Sequence, residues 1–312
     1  MKLAFVFPGQ GSQAQGMLLD LMQQFAVAKQ TFIEASDTLH CDLLDMVQNG
    51  GDKLEQTEFV QPLLLTADIA VWRTWLQENG KKPSFLAGHS LGEYAALVAA
   101  NALDFKEAVR LVHERGRLMQ QAVPQGKGAM LAIVGLDDDK VSVICREAAG
   151  SQVLEIANYN SIGQVVLAGE TAACERALNL ALQQGAKLAK LLAVSVPSHC
   201  LLMKPAAISF LEYLQKIKIN VPEIPVIHNA DVCFYDDVNK IRDALVRQLY
   251  CAVRWVETIL FMEKHGVQFI FECGPGKVLT GLNKRISQNL TVDFLGLSQK
   301  IVANLDVDKS RG

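Results

Sequence analysis

No apolar run in this 312-residue chain approaches the length of a membrane span. The run from Leu3 to Phe7 is cut off by Pro8, too early for the apolar core of a signal peptide. Long runs of like charge are equally missing. Lys and Arg are scattered and the formal net charge is only −3, so nothing points to nucleic acid or a charged membrane surface as partner. Metal-binding spacings are lacking too: no H-x-x-x-H, H-E-x-x-H or Cys/His cluster occurs, which argues against a metal site. The seven cysteines never fall as C-x-x-C, and their odd number suits reduced thiols in a cytoplasmic protein. There is no internal repeat and no low-complexity segment. What is present is a hydrophobic content of 50%, enough for one large domain plus a smaller one.

The most informative stretch is Gly88-His89-Ser90-Leu91-Gly92. A short apolar segment, Phe85-Leu86-Ala87, precedes it as the end of a buried strand, and a helical run from Glu93 to Ala100 follows. A G-x-S-x-G string alone is either a tight turn or a nucleophile elbow. The strand–turn–helix setting favours the elbow, in which flanking glycines avoid collisions and the serine oxygen is lifted off the sheet toward the first helical amides.

Periodicity predicts strands at 2–7 and 85–88 and helices at 17–44, 61–78, 91–100 and 105–122. From Gly126 to Val196 the order becomes strand 129–136, helix 139–149, strands 154–158 and 164–168, helix 171–184 capped by Thr171, and strand 189–196. That β-α-β-β-α-β order is ferredoxin-like. It is bounded by Pro124-Gln125-Gly126 and Pro197, as an insertion would be. Helices 205–217, 238–249 and 256–265 and strands 226–228 and 269–272 follow, the last closed by the turn Gly274-Pro275-Gly276. The expected fold is therefore α/β. Residues 1–125 and 197–312 form an α/β-hydrolase-like larger domain, and residues 126–196 an inserted ferredoxin-like subdomain.

A serine nucleophile needs a base. Of the six histidines, His89 lies in the elbow and should point away from the reaction, while His113 and His265 sit on helices as surface or satisfied core residues. His199 follows Val196-Pro197-Ser198 in a loop leaving the last subdomain strand, where α/β proteins build sites. It is either the base or a structural histidine. No acid between Ser90 and His199 has a strand-end setting, so a dyad oriented by a backbone carbonyl stays open beside a triad. Gly9-x-Gly11-x-x-Ala14 formally matches a dinucleotide fingerprint, but residues 25–39 read as helix where its second strand should lie. The alternative is a loop whose amides stabilise an oxyanion. Arg115, on a helical face with Leu111 and Met119, either snorkels or meets an anion.

Pro8-Gly9-Gln10-Gly11-Ser12-Gln13, Gly88 to Tyr94, Glu114-Arg115-Gly116, Val196-Pro197-Ser198-His199 and Gly274-Pro275-Gly276-Lys277-Val278-Leu279 occur together and in this order. The combination resembles the malonyl-CoA:acyl carrier protein transacylases of bacterial type II fatty-acid synthesis over nearly the whole chain. The resemblance implies ping-pong transfer of malonyl from malonyl-CoA to the phosphopantetheine thiol of acyl carrier protein, with no cofactor and no metal. It assigns Ser90 as nucleophile, His199 as base and then acid, the amides of Gln10 and Leu91 as oxyanion hole, and Arg115 as partner of the malonate carboxylate. Gln248 matches the family's glutamine whose carbonyl orients the histidine. The chain departs from the family at Cys251-Ala252, where a polar residue and Pro are frequent, and at Ile162, where Pro is frequent. The rival readings are a serine thioesterase or esterase, a non-catalytic module that binds a carrier protein, and a dehydrogenase.

Overall fold

The computed structural model describes residues 2–51, 54, 56–194 and 196–309, the last four by backbone alone. Nine strands are assigned among them: β1 Leu3–Phe7, β2 Phe85–Gly88, β3 Gly128–Val134, β4 Leu154–Ser161, β5 Gln164–Glu170, β6 Leu188–Leu191, β7 Val226–Ile227, β8 Phe269–Glu272 and β9 Thr291–Phe294. They form two sheets.

The first sheet has the order β7-β2-β1-β8-β9 and every pairing in it is parallel. Parallel strands covered on both faces read as unbroken apolar runs, and LAFVF, FLAG and FIFE do so. Alternate residues feed two cores. Leu3, Phe5 and Phe7 join the larger one with the helices Thr57–Gln77, Gly92–Ala99 and Phe105–Ala122. Ala4 and Val6 pack on the opposite face with Trp255, Ile259 and Leu282. Phe5 anchors the first core edge-on to Trp72 and Trp75, with ring centroids 5.5 and 5.4 Å away.

The second sheet runs β4-β5-β3-β6 with antiparallel pairings throughout. The helices Asp138–Ala149 and Thr171–Gln183 cover one face, where Leu131, Ile133, Val165 and Leu167 pack with Ile144 and Ala177. Met130, Val166 and Ala168 face the other way, toward Cys200 beside His199. Edge strand β4 is tied to the segment just before the helix Trp255–Lys264, which packs against the first sheet. Asn158 of β4 bridges Val253 in parallel, with Val253 N–H donating to Ala157 O at 2.8 Å and Tyr159 N–H donating to Val253 O at 3.0 Å.

Four local expectations need correction. The expected helix 17–44 is three helices, Leu19–Gln24, Ala26–Leu39 and Leu43–Asn49. The chain is extended at Phe25 and left-handed at His40, and Asp42 then caps the third helix by accepting from Asp45 N. Thr171 is not a cap: Glu170 holds that position and Thr171 Oγ1 donates to Gly126 O at 2.9 Å. The expected strand 189–196 stops at Leu191, and residue 195 lies outside the described residues. Edge strand β9 and the helices Val278–Ile286 and Ser298–Lys309 were not foreseen.

The glycines around the serine are required by space. A Cβ on Gly88 would stand 2.0 Å from Gly92 O, and one on Gly92 would stand 2.0 Å from Phe7 O, so the turn lies flat on the end of β1. Gly281, inside the helix Val278–Ile286, meets nothing within 4 Å. Thermal unfolding should separate the two kinds. Gly92→Ala is expected to lose about 1–3 kcal/mol or more through overlap, while Gly281→Ala should gain roughly 0.5–1 kcal/mol.

Candidate active site

Ser90 takes the left-handed backbone conformation, φ 51°, between the end of β2 and the helix Gly92–Ala99. A non-glycine residue there is strained, and its persistence requires support from around it. Asn229 supplies part of that support from the end of β7: its Oδ1 accepts from Ser90 N–H at 2.8 Å and its Nδ2 donates to Gly88 O at 2.6 Å. Gln248 Nε2 donates to Ser90 O at 2.8 Å. The turn is held on both sides.

His199 is buried, also left-handed at φ 65°, and its N–H donates to Leu249 O at 3.0 Å. Its Nδ1 lies 2.8 Å from Gln248 O and its Nε2 lies 2.8 Å from Ser90 Oγ. A carbonyl only accepts, so Nδ1 carries the proton and Nε2 presents its lone pair to the serine hydroxyl. Burial, reinforced by the nearby Arg115 cation and only partly opposed by the Gln248 carbonyl, pushes the imidazole pKa down to about 3. The ring is a neutral base at neutral pH. No carboxylate orients it.

Arg115 does not snorkel. Its guanidinium is buried on the helix Phe105–Ala122, with Nη1 donating to Gln61 Oε1 at 2.8 Å and Nη2 to Gln248 Oε1 at 2.9 Å. Nη2 also lies 3.3 Å from Ser90 Oγ, and Nε has no partner among the described residues. Gly116 brings this helix against the main chain of Thr57 and Glu58, where a Cβ would come within 2.7 Å of Thr57 O. The neighbouring glycine thus seats the arginine deep.

Gln10 lies in the loop after β1. Gly9 packs that loop on the elbow, since a Cβ there would stand 2.5 Å from His89 O. Among the described residues the amide N–H groups of Gln10 and Leu91 find no backbone acceptor. Gln10, Ser90 and His199 line one cavity of about 160 Å³, closed on the opposite side by Met130, Val166 and Leu192 of the second sheet and its exit. Ser90 and Gln248 are thus each in contact with both His199 and Arg115, and Gln10 and Leu91 flank the serine.

His89 is a correction. It was expected to point away from the reaction, yet it lines this cavity with Nε2 2.8 Å from Asn160 Oδ1. Sequence reasoning also passed over Gln61, Glu93, Asn160 and Asn229. Glu93 directly follows the elbow and Asn229 directly follows a residue beyond a parallel strand, the two signals that could have found them. Among the described residues no cluster of His, Cys, Asp and Glu could hold a metal, and no helix is long and apolar enough to cross a membrane.

The acyl transferase domain family matches residues 4–275. The malonyl CoA-acyl carrier protein transacylase of Escherichia coli (strain K12) is 50% identical over 307 residues, covering 98% of this chain and 99% of that protein. The chain belongs to the malonyl CoA-acyl carrier protein transacylases. Among solved transacylases, that of Coxiella burnetii superposes with a TM-score of 0.96 at 50% identity, over 98% of this chain and 97% of that one. A malonyl-transacylase solved in complex with its type II PKS acyl-carrier protein gives 0.97 at 50% identity, over 98% and 100%. The mixed α/β architecture is therefore the transacylase one, from β1 to the carboxyl-terminal helix.

An ordinary histidine titrates near 6.5, whereas His199 is held neutral down to about 3. In an NMR titration its ring nitrogens should keep the Nδ1–H pattern from pH 8 to pH 5. Replacing Arg115 with Ala should raise its pKa by removing the second cause of the shift. The unfolded chain binds this proton at higher pH than the native one, so stability should fall as pH drops from 6.5 toward 3. A ring that titrates near 6.5 in the native protein would contradict the geometry.

Proposed function

We propose that this transacylase moves malonyl from malonyl-CoA to the phosphopantetheine thiol of an acyl carrier protein, in fatty-acid biosynthesis, through a malonyl-Ser90 intermediate. The observation that carries the reading is the meeting of two groups at one oxygen: Ser90 Oγ has His199 Nε2 at 2.8 Å and Arg115 Nη2 at 3.3 Å. A base activates the nucleophile, and a buried fork beside it suits an acyl group that ends in a carboxylate. An esterase for neutral acyl groups has no use for that cation. The relatives' names supply the donor and acceptor, and the solved carrier-protein complex supports the acceptor.

In this scheme Ser90 Oγ attacks the thioester carbonyl as its proton passes to His199 Nε2. The carbonyl electrons move onto an oxyanion held by the amides of Gln10 and Leu91. The C–S bond then breaks, and the imidazolium returns the proton to the departing coenzyme A thiolate. The carrier thiol reverses the sequence: it gives its proton to His199, forms the new C–S bond and releases Ser90 Oγ, which takes the proton back. Gln248 O keeps the imidazole in the productive tautomer, and Arg115 binds the malonate carboxylate throughout. Every group needed is a protein group, so the scheme calls for no metal and no cofactor.

The same reading treats residues 1–125 and 197–312 as an α/β-hydrolase-like domain and 126–196 as a ferredoxin-like insertion. The parallel five-stranded sheet and the antiparallel β4-β5-β3-β6 order support it. We infer a cytoplasmic location from seven free cysteines and from the chemistry of the partners, none of which is a nucleic acid or a membrane.

Intact mass after mixing with malonyl-CoA alone tests the reaction class. One malonyl adduct per chain, mapped to the Ser90 peptide and absent in Ser90→Ala, is expected. Rapid loss of the adduct to water with release of free malonate would instead indicate a thioesterase. Arg115 carries the substrate choice. Its two charge-assisted bonds to a carboxylate are worth about 1.5–3 kcal/mol each. Arg115→Ala should therefore lower kcat/KM for malonyl-CoA roughly a hundredfold or more while acetyl-CoA holds steady, and Arg115→Lys should restore only part of the loss.

A further inference from the structure

Glu93 stands behind this site, fully buried on the first turn of the helix Gly92–Ala99. Its Oε2 accepts from Asn229 N–H at 3.0 Å and from Gln248 Nε2 at 2.9 Å, and its Oε1 lies 2.7 Å from His228 Nδ1. The Gln248 amide has only one workable orientation. Its Oε1 faces Arg115, which only donates, so its Nε2 must face Glu93 and the Ser90 carbonyl.

A relay therefore runs from cation to anion through one neutral amide: Arg115 Nη2 to Gln248 Oε1 at 2.9 Å, then Gln248 Nε2 to Glu93 Oε2 at 2.9 Å. The three acceptors that touch the guanidinium, from Gln61, Gln248 and Ser90, are all uncharged. A buried cation needs a counter-charge. Glu93 provides it at one remove, so no carboxylate of the protein occupies the guanidinium itself. Any carboxylate that reaches Arg115 then enters a site already carrying one buried negative charge, and like charges at this depth repel.

We propose that Glu93 tunes the acyl selectivity of this site: its buried charge, relayed by Gln248, holds down the affinity of Arg115 for the substrate's carboxylate. This rests on Arg115 being the carboxylate anchor. Glu93 touches no substrate, so it is a positioning and selectivity residue rather than a catalytic one. The arrangement suits a two-step transfer. An uncompensated guanidinium would grip malonate hard enough to slow its departure onto the acceptor, and free malonate would block the site.

Glu93→Gln removes the charge and keeps the contacts. The new amide oxygen accepts from Asn229 and Gln248, and the new amide nitrogen donates to His228 Nδ1 once the imidazole proton moves to Nε2. That atom has no partner among the described residues, so the proton moves there at the cost of one unpaired buried N–H, which bears on stability rather than on substrate choice. A second neutral variant, Glu93→Gln with His228→Asn, reaches the same state through an asparagine oxygen.

The test measures kcat/KM for malonyl-CoA and acetyl-CoA on the wild type, Glu93→Gln, the second variant, Arg115→Ala, and Arg115→Ala with Glu93→Gln. The ratio of the two substrates on one sample cancels any difference in active fraction. With Arg115 present, both neutral variants should raise the malonyl:acetyl ratio about three- to tenfold, with free malonate inhibiting more tightly by a similar factor. On the Arg115→Ala background the substitution should leave the ratio unchanged. An unchanged or lowered ratio with Arg115 present overturns the proposal, as does an equal rise without it. If Arg115→Ala alone keeps the malonyl preference, the anchor itself is wrong, and that arm reports it independently of Glu93.

Discussion

The catalytic end of this transacylase depends on main chains that approach too closely for side chains. Gly9, Gly88 and Gly92 lie at one crossing, where β1, β2 and the helix leaving the elbow meet backbone to backbone. That crossing holds Ser90 at a positive φ and aims its oxygen into the gap between the sheets. Strain of this kind persists only where the surroundings over-determine it. Asn229 grips the turn from β7 and Gln248 grips it from the helix Val238–Arg247. The serine is thus positioned by three segments distant in sequence, none of which contributes a reacting atom.

Gln248 carries an unusual share of the site. Its backbone oxygen selects the His199 tautomer, its side-chain oxygen receives Arg115, and its side-chain nitrogen binds both the elbow and Glu93. Neutral amides therefore take every position next to the base and the cation that an acid could have taken. The result is a weak, uncharged base beside a charged fork, with the negative charge kept one layer back. A direct carboxylate on His199 would have made a stronger base. It would also have put an anion close to the buried Arg115 guanidinium and quenched its charge.

The parts of this molecule legible in the sequence are those whose signal is local. LAFVF and FIFE read as buried parallel strands because both faces are covered, and the glycine-flanked serine reads as an elbow because the turn itself demands the glycines. His199 is visible from its position after a strand. Gln248 is not visible in that way: its carbonyl points at His199 from 49 residues along the chain, and only resemblance to a family singled it out. Glu93 and Asn229 escape for the same reason, since their contacts span 135 to 155 residues and no periodicity records them. The breaks at Phe25 and His40 escape differently, because neither a glycine nor a proline marks them. Edge strand β9, only four residues with one buried, lacks the apolar run that betrays its neighbours.

The splice between β4 and Val253 has a mechanical consequence. Two sheets joined only by flexible connections could swing apart like jaws, but here main-chain hydrogen bonds from Ala157 and Tyr159 clamp Val253, whose side chain packs in the core under the first sheet. The cavity above Ser90 is small, about 160 Å³, and is walled by both sheets' ends. A cavity of that size takes an acyl group but not the whole molecule that carries it, so each acyl group has to arrive on an arm. Donor and acceptor arms also compete for the same passage, so one must be withdrawn before the other enters. One passage that only one arm can fill is enough to keep the two half-reactions apart.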